Sequence, residues 1–219
     1  MADIYAFAYV EDEATKAVLN KILSFVNGKS DNRFCMQPGF PSITRGFGKL
    51  KKTARSFVDT TRNGCWAIFI TDLDNIDSIQ SLCNEWFSLP CFRLLPPQMV
   101  FRVAVREVES WIMADVQGIS EFFNIHESNF SDDPDSLPDP KQYLLNLIRR
   151  KCRKKVFQNM LPEDNQCIGI EYNPQLKKFI NQNWDIERAM AKSTSLQRAV
   201  ICLQNKLDNF TCDQHQRTP

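Results

Sequence analysis

No stretch of this sequence stays apolar for the ~20 residues that crossing a bilayer requires, so no membrane-spanning helix is expected. Charge of one sign is missing too. The 27 Lys and Arg stand against 26 Asp and Glu, a net of +1, and any nucleic-acid footprint has to be local. Histidine is scarce: His126 and His215 are isolated, and neither reads as catalytic. The eight cysteines contain no Cys-x-x-Cys pair and read as reduced thiols; Cys212-x-x-His215 offers two ligands where structural zinc needs four. The start, Met1-Ala2-Asp3, lacks the basic region of a secretory signal, so a cytoplasmic location is expected. A Gly-x-x-x-x-Gly-Lys-Ser/Thr loop is absent, which argues against P-loop ATP hydrolysis by this chain. Repeats and low-complexity tracts are absent as well.

What is present is a regular change of hydrophobic period. Ile4 to Val10 is a nearly continuous apolar run, the pattern of a central strand covered on both faces. Val18, Leu19, Ile22, Phe25 and Val26 then recur at helical spacing from Ala14 until Asn27-Gly28. A short strand is expected around Phe34 to Met36, then a Gly/Pro loop, a basic helix over Leu50 to Thr60, and a second buried strand over Cys65 to Ile70. A helix carrying Ile76, Ile79, Leu82, Cys83 and Trp86 should follow Asp74. Val100 to Val105 alternates like a strand near a sheet edge. The fold class is therefore α/β: a mostly parallel sheet flanked by helices over residues 1–116. A helical extension is expected over 117–208, opened by Asp139-Pro140 as cap and first helical residue, and closed by a helix capped at Thr194 with Gln197. Residues 209–219 read as a loose tail.

Acidic clusters stand where three of these strands end: Glu11-Asp12-Glu13, Asp72-Leu73-Asp74 and Glu107-Val108-Glu109. Ligands of open α/β sheets bind beyond the carboxyl ends of the strands. Carboxylates brought to one such edge repel one another unless a hard cation or an unusual proton neutralises them, and the cation reading points to Mg²⁺ or Mn²⁺. A plainer reading stands beside this one. Asp74 could cap the next helix, Glu11 to Glu13 could complement a helix N-terminus, and Asp115 could cap a following turn. Glu107 and Glu109 share a face only if the strand continues between them.

The Val10-Glu11-Asp12-Glu13 strand end, taken with Thr71-Asp72-Leu73-Asp74, resembles the Toprim domain of topoisomerases, primases and overcoming-lysogenization-defect-type nucleases. Arg106 to Asp115, Asp139-Pro140-Lys141-Gln142, Glu171-Tyr172-Asn173 and Ser195 to Ala199 narrow the likeness to small stand-alone bacterial Toprim-like proteins. That resemblance spans nearly the whole chain. It implies a metal-dependent nuclease of anti-phage defence, often beside an ATPase partner, with Glu11 as acid/base or metal ligand, Asp72 and Asp74 as metal ligands, and Glu107 or Glu109 completing or orienting the site. One position departs from the pattern: Asp12 stands where Toprim domains usually carry Gly, which weakens the expectation of a phosphate-cradling turn.

Cations cluster twice. Arg45, Lys49, Lys51, Lys52 and Arg55 follow the glycine-bearing loop, and Arg149, Arg150, Lys151, Arg153, Lys154 and Lys155 put six charges into seven residues. Either cluster could track a nucleic-acid backbone. The second could equally be a solvated helix end, and the first a partner-protein surface. A second function fits the same residues: a catalytically silent Toprim-scaffold subunit of an ATPase-containing complex.

Overall fold

The computed structural model describes residues 2–163 and 166–211. Cys212 and His215 lie outside the described residues. Contacts divide the chain into two compact units, one running to Val103 and resuming at Arg198, the other Ala104–Gln197.

The first unit holds a parallel five-stranded sheet flanked by helices. Its strands are β1 (Asp3–Val10), β2 (Arg33–Met36), β3 (Ser42–Ile43), β4 (Trp66–Asp72) and β5 (Met99–Ala104). They run in the order β2-β1-β4-β5, with β3 pairing β1 beyond β2, and β1 is parallel to β2, β3 and β4. The expected edge position of the last strand is met. The two-residue β3 lay inside a stretch whose Gly and Pro content predicts only a loop; pairing with β1 over Tyr9 and Val10 makes it a strand.

The helices of this unit are α1 (Glu13–Asn27), α2 (Phe47–Arg62) and α3 (Ile79–Phe87). In α1, Val18, Leu19, Ile22 and Val26 are fully buried, each worth about 1.5–3 kcal/mol relative to exposure. Helix α2 begins after Gly46, whose φ of 127° is accessible to glycine and costly for other residues. The third helix starts later than its apolar spacing suggests: Ser78 accepts from the Ser81 N–H and caps it, leaving Asp74 and Ile76 in the preceding turn. Lys51 pairs with Glu85 at 2.6 Å, and Arg55 donates to the carbonyls of Glu85 and Trp86, so two cations of the first basic cluster join α2 to α3.

One reading of β1 needs correction. The strand is central, but only one face is fully covered: Ile4, Ala6, Ala8 and Val10 are buried, while Tyr5 on the other face is 60% exposed.

The second unit is helical: α4 (Val108–Met113), α5 (Val116–Phe123), α6 (Pro140–Lys151), α7 (Tyr172–Gln182), α8 (Ile186–Lys192) and the start of α9 (Thr194–Asp208). Its boundary comes before residue 116, because α4 packs on α6 and α8 and buries Trp111 and Ile112 there. The C-terminal end of α9 returns to the first unit, where Asn32 donates to the Leu207 and Phe210 carbonyls. Asp139 caps α6 as its sequence predicts, accepting from the Gln142 N–H. The cap of α9 is Ser193 rather than Thr194: its hydroxyl accepts from the Leu196 N–H and donates to Asp135. Among the described residues no helix is long and apolar enough to cross a membrane.

Candidate functional site

Parallel pairing in register sets the geometry at the strand ends. Tyr9 lies beside Phe69, so two residues further on Glu11 lies beside Thr71. The Thr71 hydroxyl donates to Glu11 Oε1 at 2.7 Å, and the Asp72 N–H also donates to the Glu11 carboxylate. On the other flank, β3 delivers Thr44 and Arg45: the Thr44 N–H donates to the Val10 carbonyl at 2.9 Å and the Arg45 N–H to the Glu11 carbonyl at 3.1 Å. Glu11 is therefore held between two neighbouring strand ends.

Burial pushes the Glu11 carboxyl above the usual carboxylate range, and the like charges of Asp74 and Asp12 push it the same way; the Thr71 hydroxyl and Asp72 N–H act against them. The acidic residues of β1 and β4 are thus close enough to repel. Asp74 sits in the left-handed region at φ 49°, which Asp adopts more readily than most residues and which excludes it as the start of α3. Asp12, by contrast, caps α1: its carboxylate accepts from both the N–H and the hydroxyl of Thr15 at 2.8 Å. Its φ of −144° is ordinary extended backbone, so the turn has no conformational need for glycine here. Asp12 and Glu13 serve the helix end, and Glu11 is the member of that triplet held at the strand edge.

The donor chemistry here suits a hard cation. Among the described residues no three His, Cys, Asp or Glu side chains are gathered to hold an ion on their own. Mg²⁺ does not ask for that, since it is commonly held by one or two carboxylates with waters and substrate phosphates completing the shell. Glu11 and Asp74, close enough for their charges to repel, fit such a partial shell in charge and ligand type.

Glu107 and Glu109 belong to the second unit and are held differently. Glu107 is the residue before α4, and its Oε2 accepts from the Lys141 N–H at 2.8 Å. Lys141 Nζ lies 3.4 Å from Glu107 Oε1 and 3.7 Å from Glu109 Oε1. Glu109 is fully buried and accepts from the Tyr172 hydroxyl at 2.8 Å. The helix has begun between the two glutamates, yet Lys141 gathers both. Sequence reasoning gave Lys141 and Tyr172 no role; their only signal was membership of the quoted Asp139-Pro140-Lys141-Gln142 and Glu171-Tyr172-Asn173 motifs. Asp115, also fully buried, does cap α5 through the Gly118 N–H, and it accepts two bonds from Arg188 at 2.6 and 2.9 Å.

Of the remaining cations, Arg45, Lys49 and Lys52 are exposed along the β3–α2 segment. Arg149, Arg150, Lys151, Arg153, Lys154 and Lys155 are exposed at the end of α6 and beyond, with Lys154 donating to the Phe122 carbonyl. Compared with known proteins, the chain matches no family model, no curated protein and no solved structure.

Proposed function

We propose that this protein is a Toprim-like, Mg²⁺- or Mn²⁺-dependent nuclease that hydrolyses nucleic-acid phosphodiester bonds in the bacterial cytosol as part of defence against phage. The observation that carries the reading is Glu11, fixed between two parallel strand ends by Thr71 and Asp72 and facing the like charge of Asp74. Nothing in a purely structural role requires carboxylates to be set against each other. One or two carboxylates drawn from Glu11, Asp72 and Asp74 would hold the ion, with waters and substrate phosphates completing its shell, and the bound ion would polarise a phosphodiester and acidify a water. Arg45, whose backbone is tied to Glu11, and Lys49 in the first turn of α2 would orient the substrate phosphates, with Lys52 a turn further along. The exposed Arg149, Arg150, Arg153 and Lys154 would supply further backbone contacts. Glu107 accepts from the Lys141 N–H and Glu109 Oε1 from the Tyr172 hydroxyl, and neither is assigned as a ligand of the ion.

Purified protein incubated with plasmid and with single-stranded RNA, in Mg²⁺ or Mn²⁺, tests this directly beside an Asp72→Ala/Asp74→Ala variant. Metal-dependent cutting that the variant loses supports the nuclease. The second reading, a silent scaffold subunit of an ATPase-containing complex, is favoured by the near-neutral net charge and by Asp12 serving as a helix cap. It predicts no cutting by either protein while binding to an ATPase partner survives both substitutions.

A further inference from the structure

Strand β4 is apolar and buried from Trp66 to Ile70, and then places a threonine, Thr71, at a position with no exposure. Valine has nearly the same shape and brings no polar group to bury, whereas a buried hydroxyl has to find an acceptor. Two acceptors stand within reach: Glu11 Oε1 at 2.7 Å and the Asp72 carbonyl at 3.4 Å. A hydroxyl has one proton to give. The shorter contact, to a carboxylate oxygen, takes it, since hydrogen bonds to charged acceptors are the stronger ones.

The surroundings make this bond directional. Alternate residues of a strand share a face, so Glu11 and Thr71 continue the face that carries the register partners Tyr9 and Phe69. Those two rings stack at 5.3 Å, and the Phe57 ring of α2 closes on them at 5.0 and 6.0 Å. The hydroxyl and the carboxylate therefore meet beside a packed apolar cluster, where a hydrogen bond is stronger than in water. Threonine is also β-branched and stiff at χ1, so its hydroxyl turns away less freely than a serine's. Held by that hydroxyl, the Glu11 carboxylate keeps one rotation. An ion that binds it then has less freedom to remove from the side chain.

We infer that Thr71 is a positioning residue for the divalent ion: its hydroxyl aims the Glu11 carboxylate, and losing it weakens the ion's hold while every carboxylate is still in place. The inference rests on the metal reading of Glu11 given above. Groups that orient a metal ligand act this way in general, although they never touch the ion. A space-filling part for Thr71 in β4 would be served equally well by valine.

Titration of Mn²⁺ into the full chain without nucleic acid, with free Mn²⁺ read by electron paramagnetic resonance, is the test. Asp72→Ala/Asp74→Ala marks the background. Thr71→Val should weaken Mn²⁺ binding by about tenfold or more. Thr71→Ser, which keeps the hydroxyl, should restore most of the loss. Thr71→Ala replaces Thr71→Val if the latter alters the circular dichroism spectrum. Equal affinity in the wild type and Thr71→Val overturns this inference and leaves the nuclease reading standing. So does a Thr71→Ser protein as weak as Thr71→Val, because shape and not the hydroxyl would then matter. A wild type that binds Mn²⁺ no better than the background removes the metal reading, and this inference falls with it.

Discussion

Glu11 and Glu109 both follow a β-strand, and their surroundings are opposites. Glu11 is placed among carboxylates with only a hydroxyl and a backbone N–H to accept from, so its charge is opposed. Glu109 is more deeply buried, yet Lys141 lies 3.7 Å from it and the Tyr172 hydroxyl at 2.8 Å. Among the described residues Glu11 accepts from a hydroxyl and a backbone N–H and faces like charges, whereas Glu109 Oε1 has a cation and a hydroxyl beside it. In one place the nearest charges oppose the carboxylate and in the other a cation offsets it, and two acidic motifs of equal appearance in the sequence do not reveal the difference.

Removing the cation from the self-contained cluster is the most damaging way to break that contrast. Lys141→Met leaves two glutamates, one 1% and one 15% exposed, without their neutralising charge. Breaking such a pair costs about 3 kcal/mol, at the low end for buried ion pairs because Lys141 is itself partly solvated. A urea titration should show the lowered midpoint, and Lys141→Met combined with Glu109→Gln should recover a good part of it. An unchanged midpoint would mean that Lys141 is not the compensating charge.

The reverse experiment offers a divalent cation to the other site. A ligand bound by the folded state alone stabilises by about 2.7 kcal/mol at a hundred times its dissociation constant. Saturating Mg²⁺ or Mn²⁺ should therefore raise the melting temperature of the wild type and leave the Asp72→Ala/Asp74→Ala variant unmoved. Equal shifts in both proteins would locate the ion elsewhere.

Much of this contrast could be anticipated on the Glu11 side and little on the Glu109 side, for a reason of distance along the chain. Strand ends, helix spacing and caps such as Asp139 are written within a few residues, and they put Glu11 and Asp72 at one sheet edge once the parallel order is assumed. Some local signals still misled. Asp74 looks like a cap and is not, because Ser78 offers a hydroxyl closer to the apolar turn of α3. Thr194 resembles a cap, but Asp135 recruits Ser193 from 58 residues away. The partners that define the second cluster are also remote: Tyr172 is 63 residues from Glu109, and Arg188 is 73 from Asp115. No period or spacing in a single sequence announces such pairs. The open face of β1 was hidden similarly, since an apolar run reads the same whether a helix covers all of it or half.

The smallest effect is also the most diagnostic of the sign of the field at Glu11. Its folded carboxyl binds a proton more tightly than the unfolded chain does, owing to burial and to Asp74 and Asp12. The stability tied to its protonated form is full below the ordinary carboxylate pKa and is lost as pH rises through the raised folded value. Glu11→Gln, which keeps an acceptor for the Thr71 hydroxyl, should thus be more stable than the wild type at neutral pH in metal-free buffer. The gap should close on acidification. Saturating Mg²⁺ should reverse the order, because only the ionised carboxylate gains from the ion. Melting curves at neutral and acid pH, with and without Mg²⁺, provide the four measurements needed. A wild type more stable than Glu11→Gln at neutral pH without metal would mean that Thr71 and Asp72 already satisfy the charge, and Glu11 would then belong to the same self-contained kind of site as Glu109.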